Sequence, residues 1–150
     1  MNNAPLKNRK ITQIGIIVDD IEQAVQAWSA ILGTEIPEVI ITDPVERART
    51  EFRGQSSTAR AKLAIMQLGT IALELIEPMG EGSTWKEQLD QYGPSIHHIA
   101  FEVDDIDTQL TSLNEPGLNL VQRGEFEGGR YAYLDGQKRF AAVIELLELD

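Results

Sequence analysis

The chain of 150 residues contains no cysteine. That excludes disulfides, thiolate nucleophiles and cysteine-based zinc sites, so any metal ion must be held by nitrogen and oxygen ligands. Positive charge is also scarce: 13 Lys and Arg stand against 24 Asp and Glu, for a net charge of -11. The mean field of such a chain repels phosphate backbones and anionic membrane surfaces, which argues against nucleic acid or membrane as partner. No apolar run approaches the roughly 20 residues of a membrane-spanning helix. Met1 to Lys10 is polar where a secretory signal needs an apolar stretch, so the expected location is cytoplasmic. What is present, 42% hydrophobic and 25% charged residues at a common domain length, suffices for a single globular domain over 1–150.

Internal similarity organises the chain. Gln13 to Ile21 (QIGIIVDDI) precedes His98 to Ile106 (HIAFEVDDI) by 85 positions, with Ile, Val, Asp, Asp and Ile coinciding. A second echo pairs Leu73 to Glu77 (LELIE) with Ile144 to Glu148 (IELLE) at an offset of 71. Two modules therefore share their beginnings and their ends.

Each module opens on a β-branched, apolar run that reads as a buried strand and closes on Asp-Asp. Asp20 and Gln23 have capping-box spacing, and Ile21, Val25, Trp28 and Ile31 or Leu32 recur at helical spacing until Gly33 supplies the stop. Asp105 begins the matching helix, which carries Leu110 and Leu113 and ends at Pro116 and Gly117. Strand-like runs follow at Val39 to Thr42, Lys62 to Leu68 and Ile71 to Ile76, then at Asn119 to Gln122, Arg130 to Leu134 and Ala141 to Leu147. This predicts an α+β fold of two βαβββ modules, about 10–78 and about 95–148. Thr84 and Glu87 repeat the capping-box spacing, so Trp85 to Tyr92 is read as a linker helix within about 83–93, ended by Gly93 and Pro94. The two offsets make the first module 14 residues longer, and the polar stretch Asp43 to Arg60 is the expected excess, a loop.

The repeat also singles out chemistry. Gln13 and His98 stand at equivalent places in the first strands, and Glu74 and Glu145 in the last strands. If the modules pack about an approximate two-fold axis, one amide oxygen, one imidazole and two carboxylates surround a single divalent cation and leave positions for substrate or water. Taken singly, each glutamate also fits a solvated strand face, and one of His97 and His98 fits a structural histidine.

On these residues, and above all on Ile96 to Ile106 (IHHIAFEVDDI), the chain resembles the vicinal oxygen chelate superfamily of glyoxalases, bleomycin-resistance proteins and dioxygenases. The resemblance covers nearly the whole chain and is strongest to methylmalonyl-CoA epimerase. It implies that the modules form curved mixed sheets around a central metal cleft, with metal ligands at Gln13, Glu74, His98 and Glu145, His97 a neighbour, and one bound Zn, Co, Ni, Mn or Fe. Epimerases of this type usually carry His where this chain has Gln13 and often Gln where it has Glu74. The set Gln13, Glu74, His98, Glu145 is similar to that of zinc-dependent glyoxalase I. That enzyme's glutathione-binding arginine and asparagine correspond here to Ile16 or Ile17 and to Pro78. The implied activity is epimerisation or isomerisation by removal of a proton next to a carbonyl, with Glu145 or Glu74 as the base and the loop residues Glu46 and Glu51 as alternatives. A glyoxalase-type lyase and a non-catalytic binding protein of the bleomycin-resistance kind are the rival readings. Two converging carboxylates with no cation between them would repel each other, which argues against the last.

Arg47, Arg49, Arg53 and Arg60 make up half of the eight arginines, and with Arg130 they suggest a site for a small anionic substrate, an acyl-CoA or a glutathione adduct. A charged surface helix paired through Glu46 and Glu51 accounts for the same residues. Gly128 and Gly129 before Arg130, Tyr131 and Tyr133 read as a flexible lip over the site or as a simple turn. Trp28 and Trp85 read as core or interface residues, and the Trp28 face together with the resemblance implies a homodimer.

Overall fold

The opening run of each module becomes a central strand of one curled, mixed sheet of ten strands. In chain order the elements are β1 (Ile11–Ile17), α1 (Ile21–Leu32), β2 (Ile40–Ile41), α2 (Val45–Ala48), β3 (Glu51–Phe52), β4 (Gln55–Ser56), β5 (Arg60–Leu68) and β6 (Ile71–Met79). After them come α3 (Thr84–Tyr92), β7 (Ser95–Glu102), α4 (Ile106–Asn114), β8 (Leu120–Phe126), β9 (Gly129–Leu134), α5 (Gln137–Phe140) and β10 (Val143–Leu149). The computed structural model describes residues 4–114 and 117–150, so the expected helix stop at Pro116 lies outside the described residues.

The strands run in the order β2-β5-β6-β1-β7-β10-β9-β8-β3-β4. β1 pairs in parallel with β6, placing Gln13 opposite Ala72 and Gly15 opposite Glu74. β7 pairs in parallel with β10 in the equivalent register, His98 opposite Val143 and Ala100 opposite Glu145. The two repeats meet where β1 and β7 run antiparallel with Gly15 facing His98. The fold is α+β, and the repeat legible in the sequence is the repeat of the sheet.

The helices sit where local chemistry puts them. Asp20 caps α1 by accepting the Gln23 N–H at 3.1 Å, and Gly33 closes it in the left-handed region. Ile21 and Val25 lie in the core with Leu73 and Leu75, and Trp28 packs against them. Ile31 is 82% exposed, so the apolar stripe ends a turn before the helix does. In the second module, Ile106 and Leu113 of α4 bury against Ala132, Leu134 and Leu146. A third cluster, containing Ile17, Ile76, Trp85, Tyr133 and Val143, joins the modules.

Two local expectations need correction. Ser83, not Thr84, caps α3, its hydroxyl accepting the Lys86 N–H at 3.0 Å, and Thr84 is the first helical residue. Asp43 to Arg60 is not a loop either. It forms the single turn of α2 and the β3/β4 hairpin, and β3 pairs with β8 of the second module, Glu51 opposite Arg123. Backbone groups that a free loop would leave to water are satisfied by lengthening the sheet.

A further job for the repeat is visible at the helix starts. Glu77 Oε1 accepts the Ile21 N–H at 3.0 Å, and Glu148 Oε2 accepts the Ile106 N–H at 2.9 Å. The last glutamate of each LELIE/IELLE echo thus holds the first turn of its module's helix, where unpaired N–H groups and the helix dipole both favour an anion.

Candidate functional site

Strand alternation separates the echoed glutamates. On β6, Leu73 and Leu75 point into the core beneath α1, so Glu74 faces the opposite, concave side. On β10, Leu146 is in the core with α4, and Glu145 faces the same concave side. Gln13 and His98 come from the two central strands. Gly15 makes the arrangement possible, because a β-carbon at that position would collide with the His98 imidazole.

The four residues converge on one atom. His98 Nε2 lies 2.9 Å from Gln13 Oε1, 3.0 Å from Glu145 Oε2 and 3.7 Å from Glu74 Oε1, with all four side chains buried. A ring nitrogen carries at most one proton and points it at one acceptor. Gln13 has that position, and Glu145 Oε2 is left buried without a hydrogen-bond partner. An orphaned carboxylate oxygen costs free energy, which a cation among these donors would remove. Neighbouring ligands at bonds of about 2.1 Å around one octahedral cation stand about 3.0 Å apart, close to the two short distances. Among the described residues, His, Asp and Glu alone form no cage of three or more around a cation position. The candidate donor set therefore depends on Gln13 as a member and includes Glu74, whose oxygen stands furthest out.

Burial sets the titration of the cluster. It pushes the Glu74 carboxyl up to about 7, an effect that His98 opposes and Glu145 reinforces. At His98, burial favours the neutral ring, but Glu145 and Glu74 outweigh it and raise the imidazole above its ordinary value. His97, fully buried, is held well below the ordinary range by burial and by His98. The Tyr131 and Tyr133 phenols are raised by burial and stay protonated.

Above the donors opens a cleft of about 610 Å³. Ile40, Ile41, Leu63 and Ile65 form one apolar wall, Phe126, Leu147 and Leu149 the other, and Trp85, Tyr131 and Tyr133 line its deeper part. Tyr133 is anchored from behind by the Trp85 indole N–H at 3.0 Å, and the Tyr131 hydroxyl accepts from Gln122 Nε2 at 3.0 Å. The sequence groups both tyrosines with Gly128 and Gly129 as a lip over the site or a turn; they stand instead on β9, in the lining of the cleft. The charged residues of the lining are all acidic, Asp43, Glu125 and Glu127 joining Glu74 and Glu145.

The arginines do not act as one patch. Arg47 pairs with Asp43 at 2.9 Å, and Arg53 grips Glu87 of α3 through both terminal nitrogens at 2.6 and 2.9 Å. Arg60 donates to the Thr42 carbonyl. Arg49, 3.4 Å from Glu125, and Arg130, paired with Glu148 and Asp150, instead meet Arg123 around an adjoining pocket of about 470 Å³. Glu51 lines that pocket rather than the cleft, and the exposed Glu46 lines neither. Gly128 forms the β8/β9 hairpin turn with a positive φ of 101°. Trp85 belongs to the core between the modules, and Trp28 packs at the edge of the first.

Comparison with known proteins agrees with this architecture. A sequence profile of the Glyoxalase/Bleomycin resistance protein/Dioxygenase superfamily matches residues 12–133. The chain is 28% identical over 119 residues to the ethylmalonyl-CoA/methylmalonyl-CoA epimerase of Cereibacter sphaeroides, with 77% of each chain covered. It is 26% identical over 132 residues to the 2-epi-5-epi-valiolone epimerase of an Actinomyces species, with 82% of this chain and 71% of that one covered. Its fold is shared with methylmalonyl-CoA epimerase from Mycobacterium tuberculosis, with a TM-score of 0.63 at 23% identity over 98% of this chain and 92% of that one.

Proposed function

The chain belongs to the glyoxalase/bleomycin resistance protein/dioxygenase superfamily, and from that premise we propose that it is a cation-dependent epimerase or isomerase moving a proton on carbon next to a carbonyl. The observation that carries this reading is the convergence of Gln13, Glu74 and Glu145 on His98 Nε2, with Glu145 Oε2 orphaned, beneath a cleft large enough for a small substrate. The similarity to two epimerases supports the same class.

Gln13, Glu74, His98 and Glu145 would hold one divalent cation, Zn, Co, Ni, Mn or Fe, with the two carboxylates balancing its charge. When bound, the cation supplies Lewis-acid stabilisation of the negative charge that grows on the carbonyl oxygen of the substrate. Glu145 and Glu74 rise from equivalent strands on either side of the β1/β7 pair. For inversion at carbon, one carboxylate takes the proton from one face and the other returns a proton to the opposite face. An acyl thioester bearing phosphates would lay its reacting end in the cleft and its anionic arm toward Arg49, Arg123 and Arg130, where it must compete with the carboxylates already paired there.

The test is solvent exchange. In deuterated water the cation-loaded protein is expected to incorporate deuterium into methylmalonyl-CoA at the carbon next to the carbonyl, and Glu145→Gln is expected to lose that exchange while keeping its fold. Turnover only of the hemithioacetal of methylglyoxal and glutathione would replace this reading with the lyase, which the amide ligand Gln13 favours. Exchange into neither compound, with the cation bound, would reject a malonyl-type or glutathione-type substrate.

A further inference from the structure

Behind the donor cluster lies a second buried imidazole that belongs to no part of it. His97 Nδ1 is 2.9 Å from His98 Nδ1, and His97 Nε2 is 3.0 Å from Thr84 Oγ1. Two ring nitrogens at that distance share one proton, so the question is which ring owns it. A histidine that offers its Nε2 lone pair outward keeps its proton on Nδ1. With a cation at His98 Nε2 in place of the proton that Gln13 otherwise accepts, the shared proton would belong to His98 Nδ1, and His97 Nδ1 would accept it. His97 then carries its own proton on Nε2 and donates it to the Thr84 hydroxyl.

Thr84 is itself fixed. It is the first residue of α3, and its backbone N–H donates to Gln122 Oε1 at 2.8 Å. Tyr133 encloses the pair, its ring centroid 5.0 Å from that of His97 and 5.2 Å from that of His98. In the first module the position equivalent to His97 is Thr12, whose hydroxyl reaches the Ala100 carbonyl at 3.5 Å, so among the described residues Gln13 has no matching support.

We propose that His97 is a positioning residue: by accepting the Nδ1 proton of His98 it fixes that ring and presents the Nε2 lone pair to the cation site, tying the first turn of α3 to the cleft. The inference rests on the cation-site reading above. A ligating histidine is ordinarily oriented by a carboxylate, a carbonyl or water on its other nitrogen. Here a second histidine backed by a threonine takes that place.

Two substitutions separate orientation from packing. Asn at position 97 can set an amide oxygen where Nδ1 stands, whereas Leu keeps apolar volume and has no acceptor. Calorimetric titration of chelator-stripped protein with Zn²⁺, and with Co²⁺ in parallel, is expected to show affinity about 10–100-fold weaker in His97→Leu and within about threefold of the parent in His97→Asn. A role in packing alone gives the reverse order, because Leu suits an apolar site and Asn does not. Histidine ¹⁵N NMR of the Zn²⁺-loaded parent is expected to find the proton on Nδ1 of His98 and on Nε2 of His97. That measurement decides the matter even if a variant fails to fold. Parent protein that binds the ion but has the proton on Nδ1 of His97, or variants that bind it in the packing order, would overturn the role of His97 and leave the cation site standing. Parent protein that binds neither ion would remove the cation site and this inference with it.

Discussion

Position 13 in the first module and position 98 in the second hold the same place in their strands, yet they are held in different ways. His98 is fully buried, has His97 and Thr84 behind it, and fills space that Gly15 leaves open across the strand pair. Gln13 bonds to His98 and has Thr12, not a buried ring, beside it. The difference follows from chemistry. An imidazole has two ring nitrogens whose protonation must be settled before either can act as a ligand, whereas an amide oxygen is an acceptor in every state. On the proposed reading, the imidazole ligand calls for a buried support and the amide ligand does not.

Where the modules do the same job they use the same residue. Glu77 and Glu148 each accept the N–H of the first residue of the adjoining helix, at 3.0 and 2.9 Å. Glu74 and Glu145, three residues earlier, face the cleft together. The echo in sequence thus mixes two causes, helix capping and site chemistry, which only strand alternation tells apart.

The comparison can be broken at its centre. Replacing His98 and Glu145 together by Ala is expected to take the bound cation from one per chain to none, read by elemental analysis of the folded variant. Unchanged stoichiometry would place the cation elsewhere. Next in size, Gly15→Ala drives a β-carbon into the His98 ring and is expected to cost about 1–3 kcal/mol in urea unfolding. The equivalent change in the second module, Ala100→Gly, should cost about 1 kcal/mol or less. Equal losses at the two positions would mean that Gly15 has no special part in seating His98.

The capping pair sharpens the likeness rather than the contrast. Glu77→Ala and Glu148→Ala should each lower stability by about 1–2 kcal/mol, and by similar amounts, because each removes a charged acceptor from a helix start. Thermal unfolding of the two variants side by side checks this, and a loss confined to one would end the equivalence. The smallest effect is expected from Gln13→His, which makes the two central positions alike. Cation affinity should change by less than about tenfold, since an imidazole nitrogen replaces an amide oxygen as donor. A variant that no longer bound the ion would show that an amide is required there.

Much of this was legible from residues near one another in the chain. The start of α1 at Asp20 and its stop at Gly33 are local events of capping and backbone freedom. That the β1/β6 and β7/β10 pairings match in register was legible in the two echoes, because equivalent segments of the modules fold alike, although which strands pair was not. The hairpin within Asp43 to Arg60 was not legible, because β3 and β4 are two residues long each and join the sheet through β8, some 70 positions away, a contact no local pattern announces. The arginines failed for a related reason. Nearness in sequence placed Arg47, Arg49, Arg53 and Arg60 in one group, whereas their carboxylate and carbonyl partners lie on different elements and draw them apart, leaving Arg49 to join Arg123 and Arg130.

By itself the sequence determined the class of the fold, the two-module plan and the identity of the four residues at its equivalent positions, because periodicity, caps and repeats are properties of the covalent chain. The tertiary structure alone decided that Ser83 and not Thr84 caps α3, that Thr84 is thereby free to meet His97, and that His97 stands behind His98. Those outcomes depend on which atoms come within 3 Å once both faces of β7 are covered. Hydrogen-bond ownership in a buried cluster is set by distances between strands and helices far apart in the chain, and no spacing of residues along it encodes them.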